Sequence, residues 1–90
     1  MTKEKTSPID FTHESIEDLK EIILYNDDVN TFDFVIECLI DLCGHDPIQA
    51  EQCTLIVHYK GKCAVKSGSF TELKPVHDEM ANRQLSVEID

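Results

Sequence analysis

The sequence predicts an α+β fold, three strands and three helices in the order β-α-α-β-α-β, and three observations predict it. The run Leu19 to Tyr25 (LKEIILY) is rich in β-branched and aromatic residues and ends in the turn-forming cluster Asn26-Asp27-Asp28. Two helix-period patterns follow in succession, each with its own start and stop signals. Near residue 90, Leu85, Val87 and Ile89 alternate with Ser86 and Glu88, the period of a half-buried strand. A chain of 90 residues holds one domain with one modest core.

Each element has a local cause. The first helix starts at Phe32 with Asn30 or Thr31 as its N-cap, carries apolar residues at 32, 35, 36, 39, 40 and 43, and stops at Gly44. Asp46-Pro47-Ile48-Gln49 is a second start signal, with a capping Asp, Pro at the first helical position and Gln three residues after the cap. That helix runs to about Lys60 and is ended by Gly61, so the two helices form a hairpin over a shared core. Lys62 to Lys66, set between Gly61 and Gly68, reads as a short strand around Val65. Phe70-Thr71-Glu72 opens a short third helix carrying Leu73, Val76, His77 and Met80, with Pro75 acceptable only in its first turn. Residues 1 to 18, polar and acidic with few bulky apolar side chains, read as a flexible tail before a domain spanning 19 to 90.

Charge narrows the function classes. The 18 acidic and 8 basic residues give −10, and clustered Lys and Arg, the mark of a phosphate-binding surface, are missing. Residues 1–18 carry 2 basic and 5 acidic side chains, residues 19–59 carry 1 and 8, and residues 60–90 carry 5 and 5, so the excess is concentrated in the middle. Neither a membrane span nor an apolar signal stretch is present in the sequence, so the expectation is a cytoplasmic protein without nucleic-acid or membrane partners. Cys38, Cys43, Cys53 and Cys63 form no C-x-x-C pair and are expected as thiols serving as small buried hydrophobes.

No catalytic group or cofactor site is expected. An EF-hand-like reading from Asn26 finds oxygens at Asn26, Asp28, Asn30 and Glu37, yet Thr31 stands where the sharp turn needs glycine and a strand precedes the loop. The four Cys and four His (His13, His45, His58, His77) show no zinc-finger or ribbon spacing. A thiol nucleophile has no local signature here, although its His partner would be adjacent only in space. His58 shares a helix face with Thr54 and Val57, which sets an imidazole beside a small polar and an apolar side chain.

The stretch ILYNDDVNTFDFVIECL, followed after about a dozen residues by AEQCTLIVHYKGK, resembles the ClpS family of adaptor proteins, whose members carry a strand ending in NDD and a helix ending in V-H-x-x-G-K. Here these are Asn26-Asp27-Asp28 and Val57-His58-Tyr59-Lys60-Gly61-Lys62. The resemblance spans roughly 19 to 90 and implies a two-layer α/β sandwich, three helices on a three-stranded antiparallel sheet. It further implies a non-enzymatic adaptor that binds substrates by a destabilising N-terminal residue (Leu, Phe, Tyr or Trp) and delivers them to the N-terminal domain of a Clp-family AAA+ unfoldase.

Carried over residue by residue, Asn26, Asp27 and His58 match the positions holding the substrate's α-amino group, with Asp28 beside them. Val35, Leu39, Thr54, Val57 and Leu85 match the side-chain pocket, and Asn30 and Phe32 its rim. Glu72 matches an acidic position and Lys74 a basic one that would contact the unfoldase.

The chemistry of these residue types fits that role. A free N-terminus is cationic below a pKa of about 7.7 to 8.0, so it needs acceptors and nearby negative charge once it sheds water. Asn26 offers a carbonyl, Asp27 and Asp28 offer charge, and a neutral imidazole offers one ring nitrogen. A charge-assisted hydrogen bond contributes about 1.5 to 3 kcal/mol and burial of one large apolar side chain a similar amount. Micromolar binding needs about 8 kcal/mol, so neither contribution suffices alone. The alternatives left open are the same fold used as a protein-interaction domain with a degenerate pocket that does not bind N-degrons, and a metal or thiol enzyme.

Overall fold

The structure is a computed structural model that describes residues 18–90; the expected acidic tail, Asp18 apart, lies outside them. The elements are β1 (Lys20–Tyr25), α1 (Phe32–Cys43), α2 (Pro47–Lys60), β2 (Lys62–Gly68), α3 (Phe70–Asn82) and β3 (Ser86–Ile89), the predicted β-α-α-β-α-β order. The sheet runs β2-β1-β3 with both pairs antiparallel. β1 takes the centre because it is the most apolar of the three strands. Its Ile22 and Leu24 point at the helical layer, where they join Cys38, Leu39, Leu73 and Met80 at the centre of the core, all six at most 1% exposed.

The caps explain the boundaries. Thr31, not Asn30, caps α1, its Oγ1 accepting from the Phe34 N–H at 3.1 Å, because the Asn30 side chain is engaged elsewhere. Asp46 caps α2 through Gln49 N–H at 2.8 Å, with Pro47 in the first turn. Gly61, at φ 95°, ends α2 with its N–H on the Val57 carbonyl at 2.9 Å, a left-handed conformation that favours a residue without Cβ. The connection from α1 to α2 is tied down by His45, whose Nε2–H donates to the Val65 carbonyl at 2.7 Å. That carbonyl is available because the β1–β2 register skips Val65 between Ile22↔Lys66 and Ile23↔Ala64, a bulge that also turns the Val65 side chain into the core.

The third helix differs from expectation. It runs 13 residues, straight through Pro75 at its sixth position. Two things allow this: the carbonyl that loses its donor belongs to Thr71, which like Pro75 is exposed and can bond to water, and both flanks are secured. On the N-terminal side Ser69 and Glu72 form a reciprocal capping box (2.9 and 3.2 Å); across the proline, Leu73 and Met80 are both wholly buried.

The end of α3 fixes the start of β3. The Gln84 N–H bonds the Ala81 carbonyl (2.9 Å) and the Leu85 N–H bonds Met80 (3.1 Å), the two bonds of a Schellman motif. Its left-handed position is held by a non-glycine, Gln84, at φ 73°. An L side chain there costs about 1 to 2 kcal/mol, and glycine avoids that at some loss of chain entropy. Gln84→Gly is therefore expected to stabilise the fold by about 0.5 to 1 kcal/mol, read as a higher urea midpoint at unchanged slope. A lower midpoint would refute the strain assigned to Gln84.

Candidate functional site

Where the central strand ends, the chain crosses to α1 through Asn26 to Thr31, and this crossing is built around one carboxylate. Asp27 Oδ1 accepts from the Val29 and Asn30 backbone N–H groups, each at 2.9 Å, and Oδ2 accepts from Asn30 Nδ2 at 2.8 Å. Partial burial alone would raise the Asp27 pKa; the bonds from Asn30 and Val29 outweigh it and hold the pKa below the usual carboxylate value. The Asn30 amide also donates to the Gln84 carbonyl at 2.9 Å, tying this loop to the α3–β3 turn. At its other end, the Asn26 N–H donates to the Gly61 carbonyl at 2.9 Å. The Asn26 side chain and the Asp28 carboxylate are exposed and bond to no other described residue.

These ties frame a pocket of about 230 Å3. The loop lends it Asn26, Asp27, Asp28 and Asn30 and the helices lend Phe32 and His58; Asn26, Asp28, Phe32 and His58 are exposed and form its mouth. Its walls are Val35 from α1, Thr54 and Val57 from α2, and Leu85 from the Schellman turn, with Leu24 and Tyr25 contributed by the end of β1. Thr54, Val57 and Leu85 are 3%, 6% and 5% exposed, so the interior is a hollow in the core's edge and not a surface depression. The Phe32 and His58 rings meet edge to face at 5.7 Å, and Tyr59 meets His58 likewise at 4.8 Å, a favourable geometry for aromatic pairs. No Lys or Arg lines the pocket. The arrangement therefore joins acceptors and negative charge at an open mouth to a largely apolar interior, which suits a ligand with a cation or donor at one end and an apolar group beside it.

Ten of the eleven residues expected at the substrate site line this pocket: Asn26, Asp27, Asp28, Asn30, Phe32, Val35, Thr54, Val57, His58 and Leu85. Leu39 does not. It lies one helical turn below Val35 and is wholly buried in the core, behind the wall and not on it. Leu24 and Tyr25 were not expected there. Tyr25 is the last residue of the central strand, directly before NDD, and its hydroxyl donates outward to Glu88 Oε1 at 3.2 Å.

Glu72 and Lys74 lie apart, on α3. Glu72 serves the capping box, and Lys74 Nζ pairs with Asp78 Oδ2 at 2.6 Å while His77 Nδ1 meets Asp78 Oδ1 at 3.0 Å. Those two hydrogen bonds, Lys74 first, lower the Asp78 pKa. Among the described residues no group of three or more His, Cys, Asp or Glu side chains is gathered to hold a metal ion. The four cysteines are free, Cys38 and Cys43 buried and Cys53 and Cys63 half-buried. Burial, aided by neighbouring thiols, pushes Cys43 and Cys63 up to about 11, leaving them protonated and weakly nucleophilic at neutral pH.

Residues 16–87 match the model of a family described as ATP-dependent Clp protease adaptor protein ClpS. The chain is 38% identical over 85 residues to the ATP-dependent Clp protease adapter protein ClpS of Cronobacter sakazakii, covering 82% of this chain and 79% of that one. To the protein of the same name from Campylobacter jejuni it is 32% identical over 92 residues, covering 96% of each. Among solved structures it is similar to Agrobacterium tumefaciens ClpS2 bound to L-phenylalaninamide, with a TM-score of 0.67 at 19% identity, covering 80% of this chain and 94% of that one. That likeness shows the fold.

Proposed function

This chain belongs to the ClpS family of Clp protease adaptors, and from that premise we propose that its pocket receives the first residue of a substrate protein, holding a free α-amino group at the mouth and a bulky apolar side chain inside. The observation that carries the reading is the junction of the two halves: Asn26, Asp28 and His58 at the rim open directly onto Val35, Val57 and Leu85. L-phenylalaninamide, the molecule bound by the Agrobacterium relative, has both features, a free amine and a phenyl ring.

Asp27 has a different part in this proposal from that of a direct amine ligand. With three donors already on its oxygens, it shapes the loop and supplies charge, while the Asn26 carbonyl, Asp28 and a His58 ring nitrogen face the amine. The role is a binding one throughout, with delivery to a Clp-family AAA+ unfoldase as its purpose. Exposed Glu72 and Lys74 on α3 are the proposed unfoldase contact, and the acidic segment before residue 19 is assigned to handover.

The test is fluorescence anisotropy with one labelled peptide in several forms. The form beginning with Phe or Leu is expected to bind, and the forms beginning with Arg or carrying an N-acetyl group are not. Acetylation removes the charge and two of the three N–H donors while leaving the side chain in place, so equal binding of the acetylated peptide would overturn the reading. Binding of no form would favour the interaction-domain alternative.

A further inference from the structure

Among the pocket's wall residues, Thr54 carries a hydroxyl whose role is fixed by chemistry. Thr54 Oγ1 lies 2.7 Å from the Ala50 carbonyl oxygen. A carbonyl has no proton to give, so the hydroxyl is the donor in that bond and retains only its lone pairs, as an acceptor. Thr54 is 3% exposed and stands in a wall otherwise made of Val35, Val57 and Leu85. The other hydroxyl on the lining, that of Tyr25, is turned outward to Glu88. Thr54 and His58 are four residues apart on α2, about 6 Å along the axis at 1.5 Å per residue. Thr54 therefore lies within reach of the far end of an aromatic ring whose terminal amine sits at His58.

We propose that Thr54 makes this pocket select N-terminal Tyr over N-terminal Phe, its Oγ1 accepting the phenolic O–H. The proposal rests on the N-terminal-residue reading above. A phenyl ring fills the same space and leaves the Thr54 lone pairs dehydrated with no donor. Sites built around a hydroxyl reject the analogue that lacks it for this reason.

Two peptides differing only in Tyr or Phe at the first position are titrated into the wild-type protein, Thr54→Val and Thr54→Ser. The wild type is expected to bind the Tyr peptide about tenfold more tightly, the worth of one buried hydrogen bond. Thr54→Val keeps the shape and removes the acceptor, so the ratio falls to one or inverts; Thr54→Ser restores the hydroxyl and retains the Tyr preference. Equal wild-type affinities, or a Tyr preference that survives in Thr54→Val, overturn the role of Thr54 while leaving the binding reading intact. If neither peptide binds the folded wild-type protein, both fall.

Discussion

Replacing Asp27 with Ala is expected to weaken binding of a Phe- or Leu-initiated peptide by at least about 30-fold, near 2 kcal/mol, although Asp27 is not assigned a direct bond to the ligand. The carboxylate receives the Val29 and Asn30 N–H groups and the Asn30 amide. Without it three donors lose their partner, and charge-assisted bonds of this kind are worth about 1.5 to 3 kcal/mol each before water takes over at exposed positions. The loop then loses the shape that aims Asn26 and Asp28, and Asn30 is freed from its position beneath the Gln84 carbonyl.

Asp27→Asn separates geometry from charge. One amide oxygen can still accept both backbone N–H groups, but the amide nitrogen now faces Asn30 Nδ2, donor against donor. That variant should retain most of its stability while binding falls. Wild-type affinity in both variants would show that the loop is held by other means.

The lowered Asp27 pKa gives the same loop a pH signature. A depressed folded-state pKa means that the contribution is fully present above the unfolded value of about 3.9 and is lost as pH falls through the folded value. Between pH 5 and 7 the carboxylate should therefore not vary the loop's contribution, and loss of the site should come with acid below that range.

His58→Ala is the second large effect, about 2 kcal/mol or roughly 30-fold in affinity if its ring nitrogen accepts from the α-amine. The side chain is exposed, so stability should be nearly unchanged, which distinguishes this variant from Asp27→Ala. His58→Gln, which keeps an acceptor at similar reach, should recover a measurable fraction. Unchanged affinity in His58→Ala, measured by the same anisotropy titration, would remove His58 from the site.

Much of this molecule is legible in its sequence because local signals and tertiary demands agree. Asp46-Pro47 and Gly61 bound α2 as their backbone chemistry requires, and the alternation of Leu85, Val87 and Ile89 marks their common face. Depth is less legible than facing. Val35 and Leu39 share one side of α1, but helical period cannot tell which meets a ligand and which meets the core, and Leu39 is the one fully buried. The role of Asp27 is hidden for a related reason: an NDD turn announces acids, while the three bonds that occupy one of them appear only once Asn30 is placed. Gln84 gives no signal at all, since a left-handed residue without glycine is paid for by the Schellman bonds around it. Pro75 misleads because the rule against proline in helices weakens where the orphaned carbonyl faces water.

The bond from Asn30 Nδ2 to the Gln84 carbonyl closes a gap of 54 positions along the chain, and that span sets an order of events during synthesis. The loop's local bonds and both hairpin helices can form early, yet the pocket lacks its Leu85 wall and the loop its far anchor until the α3–β3 turn has been made. Contacts this distant in sequence form late because chain closure precedes their reward. A nascent chain would thus carry the recognisable NDD turn and the His58 helix without a closed pocket between them, so the pocket proposed for binding is complete only in a chain folded through Leu85.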